Sequence, residues 1–263
     1  MNDRHRLQAT LKRHFPLHDD DCARLEQLEQ HTHSASKNEV LWHFGAKLQD
    51  LYILQSGWAC TIRDTRDGES QIIELLLPGD IIGLREFTFQ RHVCEAQMIS
   101  AGTISPFAHE QIVDLIASSA PLAVALFAAI ARQEALLTER MLVNLHRPAR
   151  VQVSHFILET FLRLSKIQAV DPGHMPFPIS QRLLSQILGL SPVHINRTLA
   201  ALERDAVLEK HRAHVVIHDI RRLHDVADFN ADYLSDRVED LSERLAALRK
   251  EGGLPSRTSR PSK

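Results

Sequence analysis

The sequence predicts an α+β fold in which a small barrel or jelly roll of short strands precedes a long helix and a winged helix-turn-helix. Three observations support this prediction. Residues 38–107 are short hydrophobic runs separated by turn residues, which is typical of small barrels and jelly rolls. Residues 121–145 form one long apolar segment with helical periodicity. Residues 180–218 have the pattern of two short helices followed by two short strands.

The composition is that of a soluble globular chain with room for two domains. Of the 263 residues, 44% are hydrophobic and 24% are charged, and the formal net charge is −2. This small net charge hides a division. Residues 1–146 carry 13 Lys and Arg against 19 Asp and Glu, whereas residues 147–222 carry 11 against 6. Because phosphate attracts a basic surface, the second segment is the candidate nucleic-acid-binding part.

The cysteines and the N-terminus exclude several classes of protein. Cys22, Cys60 and Cys94 are widely spaced and contain no Cys-x-x-Cys pair, which excludes a disulfide framework and a four-cysteine iron–sulfur cluster. No basic and apolar leader begins the chain, and the longest apolar run, residues 122–131, is too short to span a membrane. We therefore expect a cytoplasmic protein without a membrane partner.

The N-terminal part is predicted to contain two short helices and a series of strands. Leucines recur at helical spacing in residues 4–15 and 20–30. The strand-like runs that follow are separated by turn dipeptides, and Asp67-Gly68 between two of these runs predicts a β-hairpin. A further short helix is predicted at 109–117, before the long apolar helix.

The long helix predicted at 121–145 carries two apolar stripes, and both have to be buried. One stripe can pack on the barrel, whereas the other needs a partner, most simply the same helix of a second subunit. A single larger core is the alternative. The residues assigned to dimerisation are Phe127, Ile130, Leu137 and Met141. Pro148 then breaks the chain, and a helix at 149–167 leads through a loop at 170–176 to the next elements.

Two short helices joined by a Gly-Leu-Ser turn form a helix-turn-helix pattern. The first covers 180–188, and the second, 191–204, opens with Ser191 as N-cap and Pro192 at its first position. Apolar residues of the second helix recur at i, i+4 and i+7 and face inward: Ile195, Leu199 and Leu202. The side chains left facing outward are His194, Asn196 and Arg197. An ordinary αα-corner has the same pattern, but a helix-turn-helix places its second helix in the DNA major groove.

Two strand-like runs, 206–210 and 214–218, follow directly and are joined by a tight connection with Arg212 at its tip. A hairpin in this place makes a winged helix, with the tip over phosphate. Any small α+β domain can end in a hairpin, but the order helix, turn, helix, hairpin is more specific than its parts. Beyond it, 220–229 predicts a helix, and two leucine heptads at 234–248 predict either an inter-subunit zipper or packing on their own domain.

In this order, the elements resemble the Crp/Fnr family of bacterial transcription regulators over about residues 20–230. The resemblance rests on the segments 51–57 (LYILQSG) and 76–83 (LLPGDIIG), on the long helix and on the winged helix. It implies an N-terminal β-roll sensor domain of the cyclic-nucleotide-binding type, similar to a double-stranded jelly roll. It also implies a homodimer that presents two recognition helices to a two-fold symmetric site on double-stranded DNA, with half-sites about 34 Å apart.

On this resemblance the chain divides into four parts. The β-roll with its N-terminal helices takes residues 1–118, and the long dimerisation helix with its hinge takes 119–147. The winged helix-turn-helix DNA-binding domain takes 148–229, and a C-terminal helix with a disordered tail takes 230–263. The resemblance implies a cytoplasmic regulator that is not an enzyme and responds to an unknown small-molecule effector. An activator also contacts RNA polymerase, for which the loop at 170–176 is the candidate surface.

The ligand set expected of a cyclic-nucleotide site is missing. Cyclic-nucleotide-binding members follow the last glycine of the second segment with a Glu for the ribose, and about ten residues later place an Arg for the phosphate. Here Leu84 follows Gly83, and Cys94 and Glu95 occupy the arginine region. A carboxylate there repels a phosphate in low dielectric, so we expect no response to cyclic AMP. We expect no metal or other cofactor, and Cys94 is either a redox-sensing thiol or a buried hydrophobe.

The DNA contacts are carried over from the family by position. The base-reading positions fall on Pro192, Val193 and Arg197, and Arg197 matches the recognition arginine that binds guanine O6 and N7. Val193 replaces a Glu that many members use to read cytosine, and Asn196 can pair with adenine. The residues assigned to DNA, whether to base or to phosphate, are Ser180, Gln181, Ser191, Val193, His194, Asn196, Arg197 and Arg212. As the alternative, Arg197 is a surface cation paired with Glu203.

Two other functions fit parts of the sequence. A cupin-like metalloenzyme shares the Pro-Gly-Asp turn and the many histidines, but it needs a His-x-His and a downstream Glu on adjacent strands, which the early strand-like runs lack. A dimeric ligand-binding module that acts on a protein partner shares every feature except DNA binding.

Overall fold

Eight α-helices and eleven β-strands make up the part of the chain that the computed structural model describes, residues 5–167 and 170–236 with positions 241, 243, 244 and 247. The helices are α1 Arg6–His14, α2 Asp19–Leu28, α3 Gln111–Ser118, α4 Ala120–His146, α5 Ala149–Ile167, α6 Gln181–Leu188, α7 Pro192–Arg204 and α8 Ile220–Ala227. The strands are β1 His33–Ala35, β2 Val40–Trp42, β3 Asp50–Ser56, β4 Ala59–Asp64, β5 Ser70–Leu76, β6 Ile81–Ile82, β7 Glu95–Met98, β8 Gly102–Ala108, β9 Met175–Pro176, β10 Leu208–Lys210 and β11 His214–Ile217.

Two four-stranded antiparallel sheets form the N-terminal β-roll, which confirms the predicted fold class. Their strand orders are β1-β8-β3-β6 and β2-β7-β4-β5. The predicted hairpin at Asp67-Gly68 joins β4 to β5, and Gly68 adopts the left-handed φ of 80° that such a turn requires. Apolar side chains from both sheets fill the space between them: Ala35, Trp42, Leu54, Ala59, Leu76, Ile82, Ala96, Met98 and Ile104.

Two short strands lie where none was predicted. Strand β1 pairs with β8, so that His33 lies opposite Ile104. Strand β9 lies in the segment 170–176, which was predicted to be a loop throughout, and Met175 pairs there with Val215 of β11. Both strands are too short to show a hydrophobic period, and their partners are distant in sequence. Met175 is fully buried, so tertiary packing orders this part of the predicted loop.

Helix α4 is the long helix predicted from the apolar segment. Its N-cap is Ser119, whose side chain accepts a hydrogen bond from the Leu122 backbone N–H. By length and composition alone this helix could cross a membrane, yet only 28% of its most apolar stretch is buried within the described chain. Core and interface helices of soluble proteins have the same composition. Because most of the apolar stretch is not buried within the described chain, α4 has a long apolar face that another surface has to cover.

The helical half of the chain packs against the β4–β5 sheet. Helix α5 and the winged helix-turn-helix share one apolar cluster with residues of the β-roll, in which the Trp58 ring meets Phe177 edge-on at 6.0 Å. Two polar contacts tie the same surfaces. Arg163 on α5 donates to the Leu75 carbonyl at 3.1 Å, and Gln71 on β5 donates to the Ile187 carbonyl at 3.3 Å.

The C-terminal predictions are only partly within the described residues. Helix α8 ends at Ala227, two residues before the predicted end, because Asp228 adopts a left-handed φ of 47°. Leu234 is buried in its own chain and Leu241 is exposed. The other zipper positions, Val238, Leu245 and Leu248, and the tail from 252 lie outside the described residues, so the zipper and the disordered tail stay predictions.

Candidate nucleic-acid interface

Helices α6 and α7 begin and end at the residues that the sequence indicates. Ser180 caps α6, its Oγ accepting the Leu183 N–H at 3.1 Å, and Ser191 caps α7, its Oγ accepting the His194 N–H at 3.3 Å. Between them Gly189 adopts a φ of 67°, the left-handed conformation with which helices commonly end. The two caps and this glycine set the turn that aims α7.

The inner faces of the two helices are fully packed. The buried residues on these helices are Leu184, Ile187, Leu188, Ile195, Thr198, Leu199 and Leu202. This packing fixes the rotation of α7 about its own axis. The opposite face is therefore held toward solvent by the core rather than by its own polar contacts.

The predicted DNA contacts of α7 lie on this outer face. Val193 is 74% exposed, and Ser191, His194, Asn196 and Arg197 are exposed with it. In the described chain neither Arg197 nor Glu203 forms an ion pair, so the alternative role of Arg197 as a salt-bridged surface cation finds no support. The Arg197 guanidinium keeps its planar set of donors, which is the group that binds two acceptors of guanine.

The residues expected to touch phosphate lie at the N-terminus of α6. Ser180 and Gln181 are exposed there, and Ser180 is also the N-cap. Arg182, which the sequence analysis did not include, is exposed next to them. A helix N-terminus with free backbone N–H groups and a nearby cation favours binding of an anion. The position of Arg182 next to Gln181 in the basic segment could therefore have identified it as a further phosphate contact.

The wing is the hairpin of β10 and β11, with Leu208 opposite Ile217. Arg212 lies exposed in its turn, as predicted, and is free of ion pairs within the described residues. Lys210 instead points inward: its Nζ lies 5.3 Å from the centre of the Phe177 ring and donates to the His211 carbonyl. Burial lowers the pKa of Lys210 to about 8. The positive charge at the wing tip therefore comes from Arg212.

A stack of three imidazoles lies beside the wing. The His214 ring is 4.2 Å from the His174 ring and 4.3 Å from the His211 ring, measured between centroids. Desolvation and the neighbouring His174, His211 and Lys210 lower the pKa of His214. Sequence reasoning missed this stack because His174 is distant in sequence from His211 and His214 of the wing.

Inside the β-roll, aromatic and acidic side chains occupy the region where the family binds a cyclic nucleotide. The Trp42 ring stacks on His92 at 4.0 Å, and its Nε1 donates to the Cys94 carbonyl at 3.0 Å. His92 lies in turn 2.7 Å from a carboxylate oxygen of Glu86, which is 4% exposed and also accepts the Val93 N–H at 3.1 Å. These side chains thus form one stacked and hydrogen-bonded set.

Charges of both signs lie near Cys94. Burial, followed by the charges of Glu86 and Glu74, raises the pKa of the Cys94 thiol to about 11. Two cations lie nearby, and both are engaged: Arg85 by Glu74 at 3.5 Å, and Arg63 by a backbone carbonyl at 2.5 Å. Cys94 is 8% exposed, so the structure favours the buried hydrophobe over the redox-sensing thiol.

The exposed face of α4 contains the four residues assigned to dimerisation. Phe127 is 60% exposed and Met141 55%, while Ile130 and Leu137 are partly exposed. The opposite stripe, with Leu122, Leu126, Leu136 and Val143 among its members, is buried in the chain. The chain therefore covers one of the two stripes and leaves the other open.

Within the described residues no group of three or more His, Cys, Asp or Glu has metal-binding geometry.

Two family models match the chain. A cyclic nucleotide-binding domain matches residues 32–119, and a Crp-like helix-turn-helix domain matches residues 151–226. The chain is 26% identical over 211 residues to the transcriptional activatory protein AadR of Rhodopseudomonas palustris, covering 80% of this chain and 84% of that protein. It is 21% identical over 213 residues to the fumarate and nitrate reduction regulatory protein of Vibrio cholerae, covering 81% and 85%.

Solved structures show the same fold. FixK2 from Bradyrhizobium japonicum superposes with a TM-score of 0.68 at 24% identity, covering 76% of this chain and 98% of that one. A CRP-family transcriptional regulator from Thermus thermophilus superposes with a TM-score of 0.63 at 16% identity, covering 76% and 99%. These relatives are transcription regulators and not enzymes, which removes the cupin-like metalloenzyme as an alternative.

Proposed function

Because this chain belongs to the Crp/Fnr family of bacterial transcription regulators and carries their helix-turn-helix DNA-binding domain, we propose that it binds a two-fold symmetric DNA site as a homodimer. The observation that carries the proposal is the outer face of α7. Arg197 is exposed there, unpaired within the described chain, on a helix whose rotation is fixed by a buried inner face. Because the buried face holds the helix in place, the free guanidinium can make direct hydrogen bonds to base edges in the major groove.

In the proposed complex, each residue of the interface has a separate role. Arg197 donates two hydrogen bonds to a guanine, Asn196 pairs with an adjacent base, and Val193 contacts a thymine methyl group. The remaining contacts are made to phosphate by Ser180, Gln181, Ser191, His194 and Arg212. Since Val193 cannot accept from a cytosine amino group, the half-site differs from that of relatives with a Glu at this position.

The proposed dimer is joined along α4. What supports it is the long apolar face of this helix, on which Phe127 and Met141 are more than half exposed. Pairing two such helices by two-fold symmetry covers both faces at once and places two recognition helices on one side of the assembly. We propose a cytoplasmic protein in which α4 is covered by a second copy rather than by lipid. Contact with RNA polymerase, as is typical of the family, is proposed for the segment around Pro172–His174.

The proposed regulator does not respond to cyclic AMP. Two observations support this. The buried carboxylate of Glu86 contacts His92 in the segment that corresponds to the nucleotide site of relatives, and Cys94, where those relatives place an arginine, lies near the carboxylates of Glu86 and Glu74. A cyclic phosphate at this point would meet these carboxylates in a site of low dielectric, while the nearby Arg85 is paired with Glu74 and Arg63 donates to the Val93 carbonyl.

Selection of bound duplexes from a random pool tests the proposal. The purified chain is expected to enrich two-fold related half-sites about 34 Å apart, with one conserved guanine in each, and to bind them with a steep salt dependence. Arg197→Ala should lose the preference for that guanine, whereas Arg66→Ala, at the exposed β4–β5 turn, should keep it. A pool that stays random, or a preference that survives Arg197→Ala unchanged, contradicts the proposal.

A further inference from the structure

A cavity of about 80 Å³ lies outside the β-roll, between α1, the Pro78-Gly79-Asp80 turn, α4 and α5. Part of its lining is apolar and includes Leu11, Leu84 and Leu136. The same lining contains Arg13, Arg132, Arg163 and Lys166, together with the carboxylates of Asp80 and Asp236. A cavity with an apolar wall and a few convergent charged groups is the usual form of a small-molecule site.

A carboxylate of the chain itself, that of Asp236, lies between two of these cations. One oxygen of Asp236 lies 3.1 Å from Nη2 of Arg132, and the other lies 2.6 Å from Nζ of Lys166. The backbone next to it is held by the same cations, because Arg132 donates to the Tyr233 and Ser235 carbonyls and Lys166 donates to the Leu234 carbonyl. Two cations on two different helices thus converge on one carboxylate.

Charge remains uncompensated after this carboxylate is bound. The cavity lining contains four cations and only two carboxylates. Arg163 donates through Nη2 alone, to Asp80 at 3.2 Å and to the Leu75 carbonyl. Its Nη1 is buried without a hydrogen-bond partner, and so is the Oε1 atom of Gln133 on the same wall. Buried polar atoms normally have partners, so the unpartnered Nη1 donor of Arg163 suits an anionic ligand, whereas the Gln133 oxygen, itself an acceptor, does not.

The neighbouring histidine, His14, lies buried beside two of these cations. Burial, followed by the charges of Arg132 and Arg13, lowers the pKa of His14 to about 4. At neutral pH His14 is therefore uncharged and adds a hydrogen-bonding group without adding repulsion. Such a site favours a single anionic group with an apolar remainder.

We propose that this cavity binds a small organic acid, a carboxylate with a short apolar tail, in the place that the Asp236 side chain occupies. The carboxylate takes the positions of the two Asp236 oxygens against Arg132 and Lys166, where the charge of the nearby Arg163 also attracts it, and the tail packs against the leucine side chains. A cavity of 150 Å³ holds a benzene ring, so 80 Å³ holds roughly three methylene-sized groups. With the carboxyl and first methylene of Asp236 displaced, the fitting acid has about five carbons.

As a route to regulation this inference rests on the proposed function, because ligand binding would release residues 233–236 from the junction of α4 and α5. As a binding site it is independent of DNA. The experiment is therefore calorimetric titration of the full-length protein with sodium pentanoate in the absence of DNA. Pentan-1-ol serves as the probe for the apolar wall alone, and inorganic phosphate as the probe for the charge alone.

Pentanoate is expected to saturate one site per chain and to bind at least tenfold more tightly than pentan-1-ol or phosphate. Asp236→Asn should tighten pentanoate binding about fivefold, the combined worth of two partly exposed ion pairs. Asp232→Asn, an exposed acid on the same segment, should leave it unchanged. Arg163→Gln should weaken binding about tenfold, and Arg163→Lys should restore part of the loss.

Three results would overturn the inference: equal affinity of Asp236→Asn and Asp232→Asn, pentan-1-ol binding as tightly as pentanoate, or the absence of any pentanoate heat. Circular dichroism and the melting temperature of each variant show that it is folded, and the Asp236→Asn arm stands even if Arg163→Gln is unstable. A DNA-binding assay on the same samples separates the two proposals. If the protein binds pentanoate but not DNA, only the proposed function is contradicted. If it binds DNA but not pentanoate, only this inference is contradicted.

Discussion

Replacing Phe127 by alanine is expected to weaken the proposed dimer strongly. Phe127 lies on the open face of α4 and is 60% exposed in the single chain. In a two-fold symmetric pairing of α4 helices, the Phe127 side chain of each subunit is buried by the other subunit. The substitution therefore removes two buried aromatic side chains from each dimer while leaving the core of the single chain intact.

The size of the effect follows from this exposure. Full burial of a phenylalanine side chain contributes about 1.5–3 kcal/mol. Since 60% of Phe127 is still exposed in the single chain, dimerisation gains roughly 0.9–1.8 kcal/mol per subunit and about twice that per dimer. The dimer dissociation constant should then rise roughly 20-fold to 400-fold.

Sedimentation equilibrium over a range of protein concentrations measures this constant directly. Phe89→Ala is the matched control, because Phe89 is 50% exposed but lies on a β-roll loop rather than on α4. The control should dimerise like the wild-type protein and keep its melting temperature. Equal dissociation constants for Phe127→Ala and the wild type, or a wild-type protein that is monomeric, would refute the pairing along α4.

Three further predictions concern stability and reactivity. Because the pKa of His14 falls from its usual 6.5 to about 4, the unfolded chain binds a proton before the folded one does. Stability should therefore drop by about 2 kcal/mol between pH 7 and pH 5 in urea unfolding, and less so in His14→Gln. Glu159→Met should lower the free energy of unfolding, measured in urea, by about 3 kcal/mol. It leaves the buried Arg140 guanidinium, which lies 3.7 Å from Glu159 in the wild type, without its counter-charge. The double variant with Arg140→Met should lose less stability. Cys60 and Cys94, whose thiol pKa values burial raises to about 12 and 11, should resist iodoacetamide at pH 8 in the folded protein.

Each of these predictions has a distinct contrary outcome. An unchanged slope of stability against pH in His14→Gln removes the histidine as the titrating group. A double variant at positions 140 and 159 that is less stable than Glu159→Met means that the pair contributes net stability of its own. Rapid alkylation of Cys94 in the native protein restores the redox-sensing role that its burial argues against.

The elements that the sequence predicts well are those whose signals are local. The helix-turn-helix was predictable because the caps Ser180 and Ser191, the turn glycine Gly189 and the apolar period of α7 all lie within one short stretch. The exposed stripe of α4 was predictable for the same reason. In α7 hydrophobic periodicity decides which face is buried, whereas in α4 it defines two apolar stripes, of which the chain itself buries only one.

Features assembled from distant segments were beyond such reasoning. Strand β9 exists because Met175 packs into a core supplied by other elements, and its own two residues carry no period. The stack of His174, His211 and His214 combines two segments that are distant in sequence, and the cavity around Asp236 combines several. In the β-roll the substitutions at Leu84 and Cys94 indicated a lost ligand set, but the contacts among Trp42, His92 and Glu86 join strand β2 to a turn and a loop that lie far from it in sequence.

The most direct test of the central claim, that α7 reads DNA through Arg197, is a binding comparison on the selected duplex. The dissociation constants of the wild type and Arg197→Ala are measured on that duplex and on one in which the conserved guanine of a half-site is replaced. We predict that the wild type loses roughly 5-fold to 150-fold in affinity on the replaced duplex, and that Arg197→Ala binds both duplexes equally. An Arg197→Ala variant that still prefers the guanine as strongly as the wild type would contradict the claim.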